Sequence, residues 1–138
     1  MEKSNVYSSN TEIKCSICGK DLMEQPEMSL VNIIQNLDTN KIVSVKPCCK
    51  GKCDQIIEGT AKRRELSGWK DLTDFMNPYL YMQHIMSVMN SMQKAEGFEN
   101  QDAYEEYKNL LLNMYPYITR NLSEEEKEEA IMSNAFPY

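Results

Sequence analysis

Pro47-Cys48-Cys49-Lys50-Gly51-Lys52-Cys53-Asp54 is the stretch on which the fold turns. It holds three of the chain's five cysteines, and the other two lie in Cys15-Ser16-Ile17-Cys18-Gly19-Lys20. An odd number of thiols in two tight clusters is a poor disulfide framework. Four thiolates drawn from two clusters are what a tetrahedral structural zinc site needs. In the first cluster two intervening residues let the chain fold back so that both sulfurs face one ion. Gly19 tolerates the positive φ of that turn and leaves backbone N–H groups free to point at sulfur.

Between the clusters lies a hairpin signal. Ser29-Leu30-Val31-Asn32-Ile33-Ile34 and Lys41-Ile42-Val43-Ser44-Val45 are rich in β-branched residues, and the polar stretch Asn36-Leu37-Asp38-Thr39-Asn40 separates them. After Cys53 the period changes: Ile56, Ile57, Thr60 and Ala61 recur at helical spacing. The charged run Lys62-Arg63-Arg64-Glu65 follows, and Ser67-Gly68 is the expected stop. The order is knuckle, hairpin, then a helix that begins at the second cysteine pair. Over residues 13–66 this resembles a treble-clef zinc finger, in which the knuckle gives two ligands and the start of the helix gives two more. A zinc ribbon is the nearest competitor, but it expects a second knuckle leading into strands.

The leftover cysteine follows from geometry. Cys49 and Cys53 are four apart, so at about 100° per residue they share one face of an incipient helix, whereas Cys48 is about 140° out of phase with Cys53. On an extended approach, Cys48 and Cys49 also point to opposite sides. The expected ligands of one structural Zn²⁺ are therefore Cys15, Cys18, Cys49 and Cys53, with Cys48 spare. Iron–sulfur ligation uses the same atoms, but a lone hairpin and helix suits zinc better. A thioredoxin-like motif at Cys15–Cys18 lacks its βαβ unit. Catalytic zinc is disfavoured because four thiolates leave no position for water.

Beyond Gly68 the composition shifts. Seven of ten Met, seven of eight Tyr, the only Trp and the only His fall in residues 69–138. Trp69 to Met76 reads as a short helix or amphipathic turn. Asn77 as N-cap and Pro78 at the first position open a helix to about Lys94, with Gly97 beyond its end. Tyr81, Met82, Ile85, Met86, Val88, Met89 and Met92 share its apolar face. That stripe has three readings: core, an adaptable binding face or dimer seam, and a Cu(I) site using Met82, Met86, Met89 and His84. A second helix runs from about Asp102 to Tyr115, where Pro116 is expected to end it. A third begins at Ser123 with a capping box to Glu126.

The sequence-level expectation is therefore an α+β chain, with a zinc-finger module at 1–68 and a Met/Tyr-rich helical module at 69–138. Its 138 residues suit one compact domain or two small modules. Leu, Ile, Val and Phe make up only about one fifth of it, so neither half has a rich aliphatic core. No apolar run approaches membrane-spanning length, and Met1 to Asn10 does not resemble a secretory signal, so a reducing cytoplasm is expected.

The net charge of −6 divides into −3 over residues 1–40, +5 over 41–70 and −8 over 71–138. The basic block of Lys41, Lys46, Lys50, Lys52, Lys62, Arg63, Arg64 and Lys70 surrounds the second cysteine cluster. With one His and no nucleophile elbow, no acid/base set converges. The preferred expectation is a non-catalytic zinc-binding protein acting through a protein partner or a homo-oligomer, with no membrane and no small-molecule substrate indicated. The alternative is a nucleic-acid-binding regulator using Lys62, Arg63 and Arg64. An enzyme reading rests only on Cys48 as a reactive thiol beside Lys50 and Lys52.

Overall fold

The two β-branched runs form an antiparallel hairpin, β1 (Ser29–Asn36) and β2 (Ile42–Cys49), in a computed structural model that describes residues 13–119 together with Glu125 and Glu128. A short helix, α1 (Lys52–Glu58), follows, then a third strand, β3 (Glu65–Asp71). Strand order is β2-β1-β3, all antiparallel, so β1 is central. A 3-10 turn (Leu72–Met76) leads into α2 (Pro78–Gln93), and α3 (Gln101–Ile118) packs against β2. The expected capping box at Ser123 and Glu126 and the tail from Ala135 to Tyr138 lie outside the described residues.

The helix expected to carry Lys62, Arg63 and Arg64 stops earlier. Gly59 takes the C-cap, Thr60 donates both its N–H and its hydroxyl to the Ile57 carbonyl, and the chain turns out of the helix. Arg64 has a left-handed φ of 70°, and Glu65 starts β3 opposite Asn36. Gly68 is therefore a strand residue opposite Ile33. The physical reason is the open side of β1. Seven paired positions on β3 satisfy backbone groups that a longer α1 would leave bare.

Pro116 also fails to end its helix. It lies inside α3, which continues to Ile118, and Thr119 N–H still reaches the Tyr115 carbonyl (3.1 Å). The ring removes a donor and crowds the carbonyl one turn back, but Tyr115, Tyr117 and Ile118 stay packed on the core and carry the helix past it. The helix starts match expectation more closely. Asn77 accepts from Tyr79 and Leu80 N–H at α2, and Asn100 accepts from Ala103 N–H at α3.

Val31, Cys48, Leu72, Phe75 and Met114 are fully excluded from water, within one apolar cluster that draws on both sides of residue 68. The outer edge of β2 is covered. Ile42 exchanges backbone bonds with Gly97 and Glu99, Val45 N–H donates to Glu106 Oε1, and the Pro47 carbonyl accepts from Ser16 N–H. Pro47 is at home there because an edge residue owes no ladder donor on its outer side.

Candidate metal centre

Three separate segments bring Cys15, Cys18, Cys49 and Cys53 together, and their four Sγ atoms lie within 4.8 Å of one another. The first segment is a knuckle closed by antiparallel backbone pairing of Lys14 with Asp21, with Cys15 N–H on the Lys20 carbonyl and Gly19 N–H on the Cys15 carbonyl. Gly19 adopts φ 77°, which a residue with Cβ resists. Ser16 N–H then ties the knuckle to the Pro47 carbonyl, one residue before the paired cysteines.

The second segment is the end of β2. Cys48 pairs with Leu30 and Cys49 with Ser29, so the two thiols leave the strand on opposite sides. Cys49 joins the cluster and Cys48 enters the core. Strand alternation, rather than a shared helical face, separates them, because Cys49 precedes α1 altogether. The third segment is the first turn of α1. Gly51, at φ 90°, turns the chain from β2 so that Cys53 comes back over the cluster.

Cys18 Sγ lies 3.8 Å from Cys49 Sγ. A Zn–S bond of about 2.3 Å gives a tetrahedral S···S edge of about 3.8 Å, so the donor set fits zinc in both identity and spacing. Ile17 and Cys18 N–H groups both point at Cys15 Sγ (3.4 Å each). Burial pushes the Cys15 thiol up, but backbone N–H donors of Cys18, Cys49 and Ile17 outweigh it and bring its pKa down to about 6. Cys53 is pushed up to about 12, first by burial and then by the Cys15 and Cys18 sulfurs. Cys49 is raised for the same reasons. Without a cation the cluster favours one thiolate and resists the next. A bound dication reverses that, which is how a metal site couples to proton release.

Cys48 is fully buried, and burial raises its thiol to about 12. It lacks the thiolate character that a nucleophile needs. Lys50, one of its expected activators, is paired with Asp71 at 3.1 Å.

Asn32 positions the site and escaped the sequence reading. It is 1% exposed, and its Nδ2 donates to Asp54 Oδ1 (2.8 Å) and Ser67 Oγ (2.9 Å). The bond to Asp54 ties α1 to the central strand beside Cys53, and the bond to Ser67 ties in β3. A lone amide within Leu30-Val31-Asn32-Ile33-Ile34 was the available signal.

The basic block is dispersed. Lys62 and Arg63 are exposed in the turn before β3, and Arg64 forks onto Asp38 (2.8 Å). Lys46 pairs with Glu106 of α3. The Met stripe divides as well: Tyr81 is buried and Ile85 and Val88 are half-buried, while Met82, Met86, Met89 and Met92 are exposed. His84 stacks on Phe75, with ring centroids 4.4 Å apart. Among the described residues no helix is long and apolar enough to cross a membrane. The chain matches no protein-family model, no curated protein and no solved structure.

Proposed function

We propose that this chain is a non-catalytic, zinc-binding protein acting through protein contacts, in which a treble-clef-type, four-cysteine finger holds the scaffold. The convergence of Cys15, Cys18, Cys49 and Cys53 from three segments carries this reading. The order of knuckle, hairpin and short helix supports the treble clef, with β3 as an addition to it. Four thiolates leave a tetrahedral ion no open position, which favours a structural over a catalytic role. A reducing compartment such as the cytoplasm suits thiols that serve as ligands. Elemental analysis of the purified protein tests the proposal: one equivalent of zinc is expected, lost in Cys49→Ser. A fully folded, metal-free protein that takes up no zinc overturns it.

Nucleic-acid binding through Lys62, Arg63 and Arg64 has less support. These residues sit on a turn, not a groove-sized helix, and Asp38 already occupies the Arg64 guanidinium. Salt-dependent DNA or RNA binding that weakens when all three become Ala would restore it.

A further inference from the structure

The two edges of the sheet differ. On β2 the outer backbone groups are taken up by Gly97, Glu99, Glu106 and Ser16. On β3 they are not. Leu37 N–H donates to the Arg64 carbonyl (2.8 Å), which fixes the parity of the β1–β3 ladder. Antiparallel alternation then points the backbone groups of Leu66, Gly68 and Lys70 at β1, and those of Ser67 and Trp69 away from it. Among the described residues no hydrogen-bond partner meets this outer edge. Trp69, the chain's only tryptophan, is 58% exposed, and Leu66, on the other face of the strand, is 57% exposed.

We propose that the outer edge of β3 is a strand-addition site for an acidic, extended peptide segment of a protein partner. Backbone geometry selects the conformation. The N–H donors and carbonyl acceptors of Ser67 and Trp69 alternate along one line, and an added strand satisfies both kinds at once. A nucleic-acid backbone supplies phosphate acceptors and leaves the carbonyls bare.

Charge selects the composition. Lys62 and Arg63 lie exposed just before β3 and Lys70 lies exposed near its end. Among the described residues none of these three is in an ion pair, whereas Arg64 is held by Asp38 and Lys50 by Asp71. Antiparallel pairing with β3 of a second copy would bring the cationic ends together, so the edge resists self-association. The same two ends attract acidic residues of a different strand. Trp69 then offers a ring against which an apolar residue of that strand packs. This site names a partner class for the reading of the chain as acting through protein contacts, and it rests on that reading but not on the metal.

Selection of a random linear peptide library against the full zinc-loaded chain tests it. Enriched peptides are expected to be acidic, with alternating β-branched residues, and to shift Trp69 emission on binding. Amide exchange at Ser67 and Trp69 should slow at least about tenfold in the complex. Methylating alternate backbone nitrogens of an enriched peptide should abolish binding in one phase and spare it in the other, since only every second amide faces β3. With a labelled peptide, Lys70→Glu should weaken binding about fivefold. Trp69→Pro should weaken it at least about tenfold, because it removes the ring and an outward N–H while sparing the ladder to β1. Zinc content and far-ultraviolet dichroism should stay at parental values in both variants. No enriched peptide, enrichment of peptides without acidic residues, or Ser67 and Trp69 amides already protected in the unliganded chain overturns the site. Nucleic-acid binding that these substitutions remove, with no peptide bound, overturns it as well. Peptides that bind but ignore both substitutions overturn the edge site and leave the protein-contact reading standing.

Discussion

Cys48 and Cys49 are adjacent on β2, and strand alternation sends one into the core and the other to the cluster. Their substitutions should therefore differ in kind. Cys49→Ser is expected to abolish stoichiometric zinc. Cys48→Ala should keep the full equivalent and lose about 1–2 kcal/mol of stability through the small cavity it leaves. Metal content and denaturant unfolding of both variants, side by side, check this. Equal zinc loss in the two would mean that Cys48 is a ligand. His84 makes a second prediction at this scale. Burial against Phe75, helped by Lys70 and opposed by Asp74, lowers its pKa below the ordinary 6.5. The unfolded chain therefore binds that proton at higher pH than the folded one. The contribution is fully present above pH 6.5 and is lost as pH falls from there through the depressed folded value. Unfolding titrations from neutral pH down through that range should show a shallower loss in His84→Leu than in the parent. Release of metal by acid is common to both proteins and cancels in the difference.

Among the elements, those set by local chemistry are readable from sequence and those set by distant partners are not. The β1–β2 hairpin announces itself in two β-branched runs, and α2 in Asn77-Pro78. β3 does not, because Glu65-Leu66-Ser67-Gly68-Trp69-Lys70-Asp71 has no clean alternation, and the open side of β1 imposes its conformation. Local pattern consequently puts Lys62-Arg63-Arg64 on a helix that in fact ends at Glu58. The four-cysteine set is legible from spacing, although the helical face invoked for Cys49 is a strand end. Asn32 is not legible in its role, since its partners Asp54 and Ser67 are far along the chain. The α3 helix offers a direct test of local against tertiary control. If packing of Tyr117 and Ile118 carries the helix through Pro116, Pro116→Ala should restore a donor and stabilise the protein by up to about 3 kcal/mol. Asn77→Ala should act oppositely and cost about 1 kcal/mol, since the N-cap serves Tyr79 and Leu80 N–H. Thermal melts of both variants read the two signs, and an unchanged melt for Pro116→Ala would mean that the last turn contributes little.

For the whole molecule the question is whether a metal bound at the cysteine cluster would hold one half or all of it. The composition, poor in aliphatics and split at residue 68, suggests two modules with separate devices. The structure runs β3 across that position, pairs Gly68 with Ile33 and Trp69 with Asn32, and shares one apolar cluster between the two sides. Further ties cross as well, from Glu106 on α3 to Val45 N–H and to Lys46 on β2. The cysteine cluster sits where the knuckle, the end of β2 and α1 meet, so loss of a bound ion would release α1 and the edge of β2 together. α1 is held to β1 by Asn32, and β2 is held to α3 by Glu106, so the disturbance is expected to reach α3. A zinc chelator should therefore lower a single unfolding transition, by at least about 10 °C, because a ligand bound only to the folded state stabilises all that unfolds with it. Calorimetry with and without chelator, with hydrogen exchange following β1 and α3, measures this directly. Two resolved transitions, with α3 protected after β1 has opened, would support a division at residue 68 and confine a metal's effect to the finger.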